Sequence, residues 1–408
     1  MISKYLTWTL ACCMPLLTLG QKHSAANRQK IDFVRRELQS AAMQYEYLCQ
    51  HTPTGLFPRS SKSDGKLMTS MSEWWCSGFF PGTLLYLYEE TGKTSLYNCA
   101  KQKLKILEKE QHNTSTHDLG FMMYCSFGNA QKTVPSKSNQ AVLIASARSL
   151  IKRFSPATGC IRSWDSKNAR DYLVIIDNMM NLELLFYAAR VTGDSTFYKI
   201  AVSHADKTLL NHFRPDHSSF HVVDYNAGDG SVISRKTAQG ASDTSVWARG
   251  QGWGLYGYTM MYRETRDRKY LDHANKIAAF ILNNPKLPAD MIPYWDFDAP
   301  GIPHAYRDAS AGALYASALL ELSTYTEAAL TRKYYSAAEK ILQSLSGKNY
   351  HAAIGDNGGF LLKHSVGNMP EGSEIDAPLS YADYYYVEAL IRYKKIAQSE
   401  ILFPIRNQ

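Results

Sequence analysis

No basic run in this chain is longer than two residues, and past its first twenty residues no stretch reaches the ~18 consecutive apolar residues that a membrane-spanning helix needs. The first absence excludes the concentrated positive surface of a nucleic-acid-binding protein, although Lys plus Arg number 45 against 37 for Asp plus Glu. A scattered surplus of +8 suits an anionic ligand instead. Cysteine is scarce and badly spaced for pairing. Beyond Cys12 and Cys13 only Cys49, Cys76, Cys99, Cys125 and Cys160 occur, an odd and irregular set. It excludes a fully paired disulfide framework and offers no C-x-x-C metal pair. The five read as buried free thiols, with room for one isolated bridge. His204, His212 and His221 are spaced by eight and nine residues, which does not set two imidazoles side by side on one helical turn, so no metal site is expected. The G-x-S-x-G elbow and the P-loop are missing as well. No cofactor is expected.

What is present is an ordinary globular composition rich in aromatics, with 27 Tyr and 7 Trp among 408 residues. Disorder and low complexity are thereby excluded. That length suits two domains, or one if the architecture is a barrel. The first twenty residues stand apart. Lys4 precedes an uncharged stretch from Tyr5 to Leu19, which closes on Thr18-Leu19-Gly20. A basic start, a short apolar core and small residues at its end read as a secretory signal peptide, residues 1–20, cleaved after Gly20. Lipidation at Cys12 or Cys13 is the alternative. Either way the chain is expected outside the cytoplasm, in a bacterial periplasm.

The remainder, residues 21–408, reads as helix after helix. A joint recurs: Glu90-Thr91-Gly92-Lys93 before Leu96-Tyr97, Val191-Thr192-Gly193-Asp194 before Phe197-Tyr198, and Glu264-Thr265-Arg266-Asp267 before Tyr270-Leu271. A looser fourth copy starts at Thr331. Each marks a helix end, a tight turn and a new helix. The apolar period predicts a first helix near 28–49 and five pairs: 78–91 with 94–111, 118–128 with 136–154, 177–192 with 195–212, 247–265 with 268–283, and 308–325 with 329–346. A last helix near 381–398 pairs with the first. Joints within pairs are short and those between pairs mostly long, so the long ones share one end. First helices are small and apolar all round, as in Ser310-Ala311-Gly312-Ala313-Leu314, and second helices are amphipathic. Six inner and six outer helices make an all-α, single-domain (α/α)6 barrel. An open stack of hairpins is the rival.

The long-joint end carries the chemistry. Trp74 and Trp75 precede one inner helix, His117-Asp118 opens the next, and Trp164 leads towards Asp177. His221 and Gln239 sit in the longest loop, before Trp247-Ala248-Arg249-Gly250-Gln251-Gly252-Trp253. Indole faces stack on sugar rings, while Arg and helix N-termini take a carboxylate, so a carbohydrate cleft tolerant of anions is expected. Asp118 and Asp177 stand where N-cap Asp is common. What sets Asp177 apart is Val174-Ile175-Ile176 before it, because a carboxylate there is desolvated and its pKa rises towards a useful proton donor.

At these same residues the chain resembles glycoside hydrolase family 88, the unsaturated glucuronyl hydrolases. The matching segments are Trp75-Cys76-Ser77-Gly78-Phe79-Phe80-Pro81-Gly82, His117-Asp118-Leu119-Gly120-Phe121, Ile176-Asp177-Asn178-Met179-Met180-Asn181 and Trp247-Ala248-Arg249-Gly250-Gln251-Gly252-Trp253-Gly254. Asp308-Ala309-Ser310-Ala311-Gly312 and Tyr381-Ala382-Asp383-Tyr384-Tyr385 extend the likeness. It implies an (α/α)6 barrel acting on lyase-generated oligosaccharides, above all glycosaminoglycan fragments, whose non-reducing end is a 4,5-unsaturated uronic acid. It implies that Asp177 protonates C4 of the vinyl ether while water adds at C5, with Asp118 as the second essential carboxylate. It also implies that His221, Gln239, Trp247, Arg249 and Trp253 line the uronate subsite, with Trp75 and Trp164 as stacking walls. The rivals are a family 105-like unsaturated rhamnogalacturonyl hydrolase and a glycan-binding barrel without catalysis.

Overall fold

The computed structural model describes the backbone of residues 14–402 and the side chains of residues 25–399. The expected signal peptide therefore lies largely outside the described residues. Twelve α-helices follow in order: α1 (Met14–His51), α2 (Phe79–Thr91), α3 (Thr94–Leu107), α4 (Asn129–Thr133), α5 (Lys137–Ile151), α6 (Leu182–Thr192), α7 (Ser195–Asn211), α8 (Ala248–Thr265), α9 (Arg268–Asn283), α10 (Ala309–Ser323), α11 (Ala328–Leu345) and α12 (Ser380–Leu402). Two inner helices begin irregularly. A π-helical run, Gly120–Gly128, leads into α4, and a 3-10 turn, Ile176–Asn181, leads into α6.

The recurrent joint has a physical explanation. Thr91, Thr192 and Thr265 each donate their hydroxyl to the carbonyl four residues back and accept the amide two residues on. The next residue, Gly92, Gly193 or Arg266, takes the left-handed conformation and returns its amide to the helix. Asp194 and Asp267 then cap the following helix through Thr196 and Lys269. The fourth copy departs from this pattern. Thr331 lies inside α11, and the α10–α11 joint is the wider segment 324–327.

The inner ring runs α2, the π-helical run with α4, α6 with its 3-10 turn, α8, α10 and α12, and α12 packs back on α2 to close it. α10 is buried on all sides and exposes only part of Glu321, and the other inner helices are exposed mainly towards their C-terminal ends. Outer helices bury one stripe, as α9 does with Tyr270, Leu271, Ala274, Ile277, Ala278 and Ile281. Close approach within the ring is written in glycine. Gly252, Gly254 and Gly257 spell G-x-G-x-x-G, but they lie in mid-helix with no phosphate loop. A Cβ on Gly252 would meet Leu314 of α10 at 2.7 Å, and one on Gly257 would meet Met179 at 2.5 Å.

Short strands decorate the long joints: β1 (Phe57–Ser61), β2 (Leu67–Ser70), β3 (Phe154–Ser155), β4 (Cys160–Ile161), β5 (Asp171–Ile175), β6 (Val222–Asn226), β7 (Val232–Lys236), β8 (Ser365–Asn368) and β9 (Ser373–Ala377). They form antiparallel pairs, except that β5, β6 and β7 make a three-stranded sheet. Cys49 and Cys99 form one disulfide between α1 and α3, while Cys76, Cys125 and Cys160 are free thiols. No helix among the described residues is long and apolar enough to cross a membrane.

Candidate active site

Asp177 is delivered by the sheet. Val174, Ile175 and Ile176 are buried, as their apolar character demands, and the amide of Ile176 donates to the carbonyl of His221 at 3.0 Å. The chain turns there into the 3-10 segment, with Asp177 in its first turn. Its side chain stays 13% exposed, enough for a ligand to reach it. Burial pushes its pKa up to about 7, with the nearby Asp118 carboxylate adding to the rise and the Arg249 cation opposing it. At neutral pH this carboxyl is therefore poised to give or take a proton.

His221 faces Asp177, with Nε2 3.6 Å from Oδ2. The amides of Ala238 and Gln239 donate to its Nδ1 at 3.1 and 3.2 Å. An amide can only donate, so Nδ1 is the bare nitrogen and Nε2 carries the hydrogen. Burial, reinforced by the Arg249 charge, pushes the imidazole pKa down to about 3. The ring is neutral and held between aromatic neighbours, edge-on to Trp164 at 5.6 Å and tilted against Trp247 at 4.6 Å. Asp177 Oδ2, His221 Nε2 and Trp253 Nε1 are all buried without a hydrogen-bond partner among the described residues.

Asp118 precedes the π-helical run and is not its cap. Thr116 donates to Oδ2 at 2.7 Å and the buried His117 places Nε2 3.3 Å from Oδ1. The two acidic segments touch: the amide of Phe121 donates to the Asn181 side chain at 3.0 Å.

Arg249, in the first turn of α8, is buried and heavily engaged. Nη1 donates to Asp308 at 2.9 Å and to the Val366 carbonyl at 2.5 Å. Nη2 donates to the Gly367 carbonyl at 2.6 Å and to the Gln239 side chain at 3.2 Å. The guanidinium also lies over Trp247 at 4.5 Å. Its terminal N–H groups are thus committed to protein acceptors, and what it offers the site is a fixed positive charge near Asp177. Gln239, by the same bond, is tied to Arg249 and holds the loop that fixes His221.

The tryptophans divide. Trp75 is half-buried against Phe121 and Tyr381, and Trp164 is half-buried beside His221. Both keep surface for a ligand. Trp247 and Trp253 are 3% and 1% exposed, so Trp247 serves as a wall behind His221 and Arg249. Trp74 is exposed and lies under the Arg59 guanidinium at 4.4 Å, outside this cluster. His204 and His212 are buried on α7 and at its C-terminal end, and no group of three or more metal-ligating side chains occurs among the described residues.

A sequence model of Glycosyl Hydrolase Family 88 matches residues 56–405. The chain belongs to glycoside hydrolase family 88. It is 43% identical over 372 residues to an unsaturated glucuronyl hydrolase of Formosa agariphila, covering 90% of this chain and 92% of the relative. An unsaturated chondroitin disaccharide hydrolase of Streptococcus pneumoniae is 32% identical, over 94% of each chain. The crystal structure of an unsaturated glucuronyl hydrolase specific for heparin superposes with a TM-score of 0.87 at 46% identity, over 90% of this chain and 98% of that one. Membership makes the protein a glycosidase, and the (α/α)6 barrel is the architecture of these relatives.

The cluster around Arg249 also contains residues that the sequence reading left without a role. Asp308, fully buried, caps α10 through the amides of Ser310 and Ala311 and spends its other oxygen on Arg249. Tyr381 packs tilted against Trp75 and lies under Arg249 at 5.4 Å. The N-cap position of Asp308 was the available signal. The carbonyls of Val366 and Gly367 on β8 had none.

Proposed function

We propose that this family 88 chain releases the 4,5-unsaturated uronic acid from the non-reducing end of glycosaminoglycan oligosaccharides left by polysaccharide lyases. The observation that carries the reading is Asp177: a partly exposed carboxyl whose pKa is pushed up to about 7 by burial, within the field of the Asp118 carboxylate. The relatives' stated activities agree with it.

In this mechanism protonated Asp177 gives its proton to C4 of the vinyl ether, and charge builds at C5. Asp177, now ionised, takes a proton from the water that adds there, so the carboxyl is restored. The C5 hemiketal opens to a ketone, and the hemiacetal left at C1 collapses, releasing the aglycone alcohol. One water is consumed and no bond at C1 is displaced directly. The spacing rule that separates retaining from inverting glycosidases therefore has no bearing here. His221 supplies a neutral N–H that steadies the ionised form of Asp177. Arg249 supplies the positive field for the uronate, and Trp75 and Trp164 flank the ring.

The chain is further read as an exported enzyme of the periplasm. Its leader-like first twenty residues support that, and so does the Cys49–Cys99 disulfide, since such bonds persist in oxidising compartments. Purified protein given lyase-generated disaccharides should abolish the ultraviolet absorbance of the conjugated uronate and leave saturated glycosides untouched. Equal turnover of saturated glycosides would overturn the mechanism.

A further inference from the structure

A buried carboxylate outside the acidic pair holds the loop that faces His221. Asp296 is fully buried in the joint between α9 and α10. Its segment runs antiparallel to the start of α8. The amide of Ala248 donates to the Trp295 carbonyl at 3.1 Å, and the amide of Phe297 to the Val246 carbonyl at 2.9 Å. Its side chain reaches the loop between β7 and α8. Oδ2 accepts the amide of Ala241 at 2.9 Å and the hydroxyl of Ser245 at 2.7 Å. Oδ1 accepts the amide of Asp298 at 2.8 Å and closes its own turn. All three bonds are donated to it, so the ionised carboxylate is the form that fits. Asp298, Arg214 and Tyr315 are the titratable groups whose fields overlap with it.

Ala241 stands two residues past Gln239. The amides of Ala238 and Gln239 donate to His221 Nδ1, and the Gln239 side chain accepts from Arg249. Gly240, between them, permits the approach: an added Cβ would lie 3.0 Å from Asp296 Oδ2 and 2.7 Å from the Thr237 hydroxyl. Arg214 secures the far side of the loop through the carbonyls of Asp243 and Ser245. A buried charge is costly, and this one gives its bonds to loop amides and a hydroxyl.

We infer that Asp296 is a positioning residue for the reaction at Asp177: by fixing Ala241 it fixes the Ala238 and Gln239 amides, and so keeps the His221 hydrogen on Nε2, towards Asp177. The catalytic consequence rests on the proposed function, whereas the tautomer of His221 does not.

The test compares full-length wild type with Asp296→Ala and Asp296→Asn. Isotope-labelled histidine, read by nitrogen NMR, reports the tautomer, and His221→Phe identifies the signal. Wild type should show a bare Nδ1 and a protonated Nε2, and Asp296→Ala a mixture of the two tautomers. Kinetics report the consequence. Asp296→Ala should lose kcat about tenfold while KM moves less than about threefold, because Arg249 keeps Asp308 and two carbonyls. The descending limb of its pH–rate profile should move to higher pH, since ionised Asp177 loses a donor while Asp118 and Arg249 still act on it. In a His221→Phe background, Asp296→Ala should move the limb no further. Asp296→Asn still offers one oxygen to Ala241 and Ser245, so its kcat and its limb should lie between wild type and Asp296→Ala. Ser245→Ala trims the same contact from the loop side and should move the limb the same way, which answers the question if Asp296→Ala folds poorly. An unchanged His221 signal in the folded variants would overturn the inference. A limb that moves as far without His221 would overturn the route through it. If wild type turns over no unsaturated substrate, the proposed function fails, and the tautomer still decides the positioning.

Discussion

His221 holds its Nε2 hydrogen towards Asp177 Oδ2, 3.6 Å away, because the amides of Ala238 and Gln239 occupy Nδ1 from behind. This dipole favours the ionised form of Asp177 and works against the burial that raises its pKa. His221→Phe keeps an aromatic ring between Trp164 and Trp247 but removes the N–H. We expect kcat to fall about 10–100-fold, the range for a preorganised donor at a charged centre. The descending limb of the pH–rate profile should move to higher pH. An unmoved limb would show that His221 only packs.

Asp177→Asn removes the proton donor and should lower kcat/KM by about 100-fold or more. In wild type, activity needs the protonated carboxyl, so kcat/KM should decline as pH rises through about 7. Stability follows the opposite logic. With a folded-state pKa raised from 3.8 to about 7, the native chain holds a proton that the unfolded chain has already released. Wild-type stability from this group is therefore present at low pH and lost as pH climbs towards 7. Asn does not titrate. The variant should melt above wild type at pH 8, and the gap should close near pH 4. A variant less stable at both pH values contradicts the desolvated carboxyl.

Arg249 and Asp308 form a buried pair whose removal from one side leaves the other charge uncompensated. Arg249→Met should destabilise the protein by about 3–5 kcal/mol, measured by urea unfolding, whereas Arg249→Met with Asp308→Asn should recover part of that loss. Arg249→Lys is not conservative here, because one ammonium cannot reach Asp308, two carbonyls and Gln239 in the same geometry. Additive losses in the double variant would dissociate the two residues.

Three of the six hairpins were legible because their joints repeat a Thr-Gly or Thr-Arg pattern whose hydrogen bonds are local, and the others rested on apolar periodicity alone. Asp177 was legible for a similar reason, since three aliphatics immediately before it bury the segment. The fixed state of Arg249 was not. Asp308 lies 59 residues away and the Val366 carbonyl 117, and a backbone acceptor leaves no trace in residue identity. The Arg249 side chain, read from sequence as a carboxylate partner, spends its terminal N–H groups on protein acceptors. Hydrophobic periodicity likewise did not distinguish the π-helical run Gly120–Gly128 from an α-helix, because nine residues are too few to separate the two periods.

The Cys49–Cys99 bridge ties two outer helices, α1 and α3, across 50 residues of chain. Reduction, or Cys99→Ala, should cost about 2–4 kcal/mol of stability while leaving kcat unchanged. The urea midpoint with and without reductant reads the first, and turnover of the unsaturated disaccharide reads the second. Identical midpoints would mean that the bridge does not constrain the unfolded chain.

The two acidic segments meet at Gly120, where an added Cβ would lie 2.3 Å from the Asn181 Cα and 2.7 Å from its Oδ1. That is backbone against backbone, so neither side can yield by turning a side chain. Gly120→Ala must move the Asp118 segment away from the Asp177 segment and weaken the Phe121–Asn181 bond. Displacement of a catalytic group by about 1 Å costs up to ~100-fold in rate, and overpacking costs about 1–3 kcal/mol. Gly312→Ala is the matched control. Its Cβ would meet only the tip of Ile292 at 3.0 Å, which can shift, and Ala is the better helix former. Gly120→Ala should therefore lose kcat by at least about tenfold while Gly312→Ala stays near wild type. Equal kcat in the two variants would mean that the spacing between Asp118 and Asp177 does not limit the reaction.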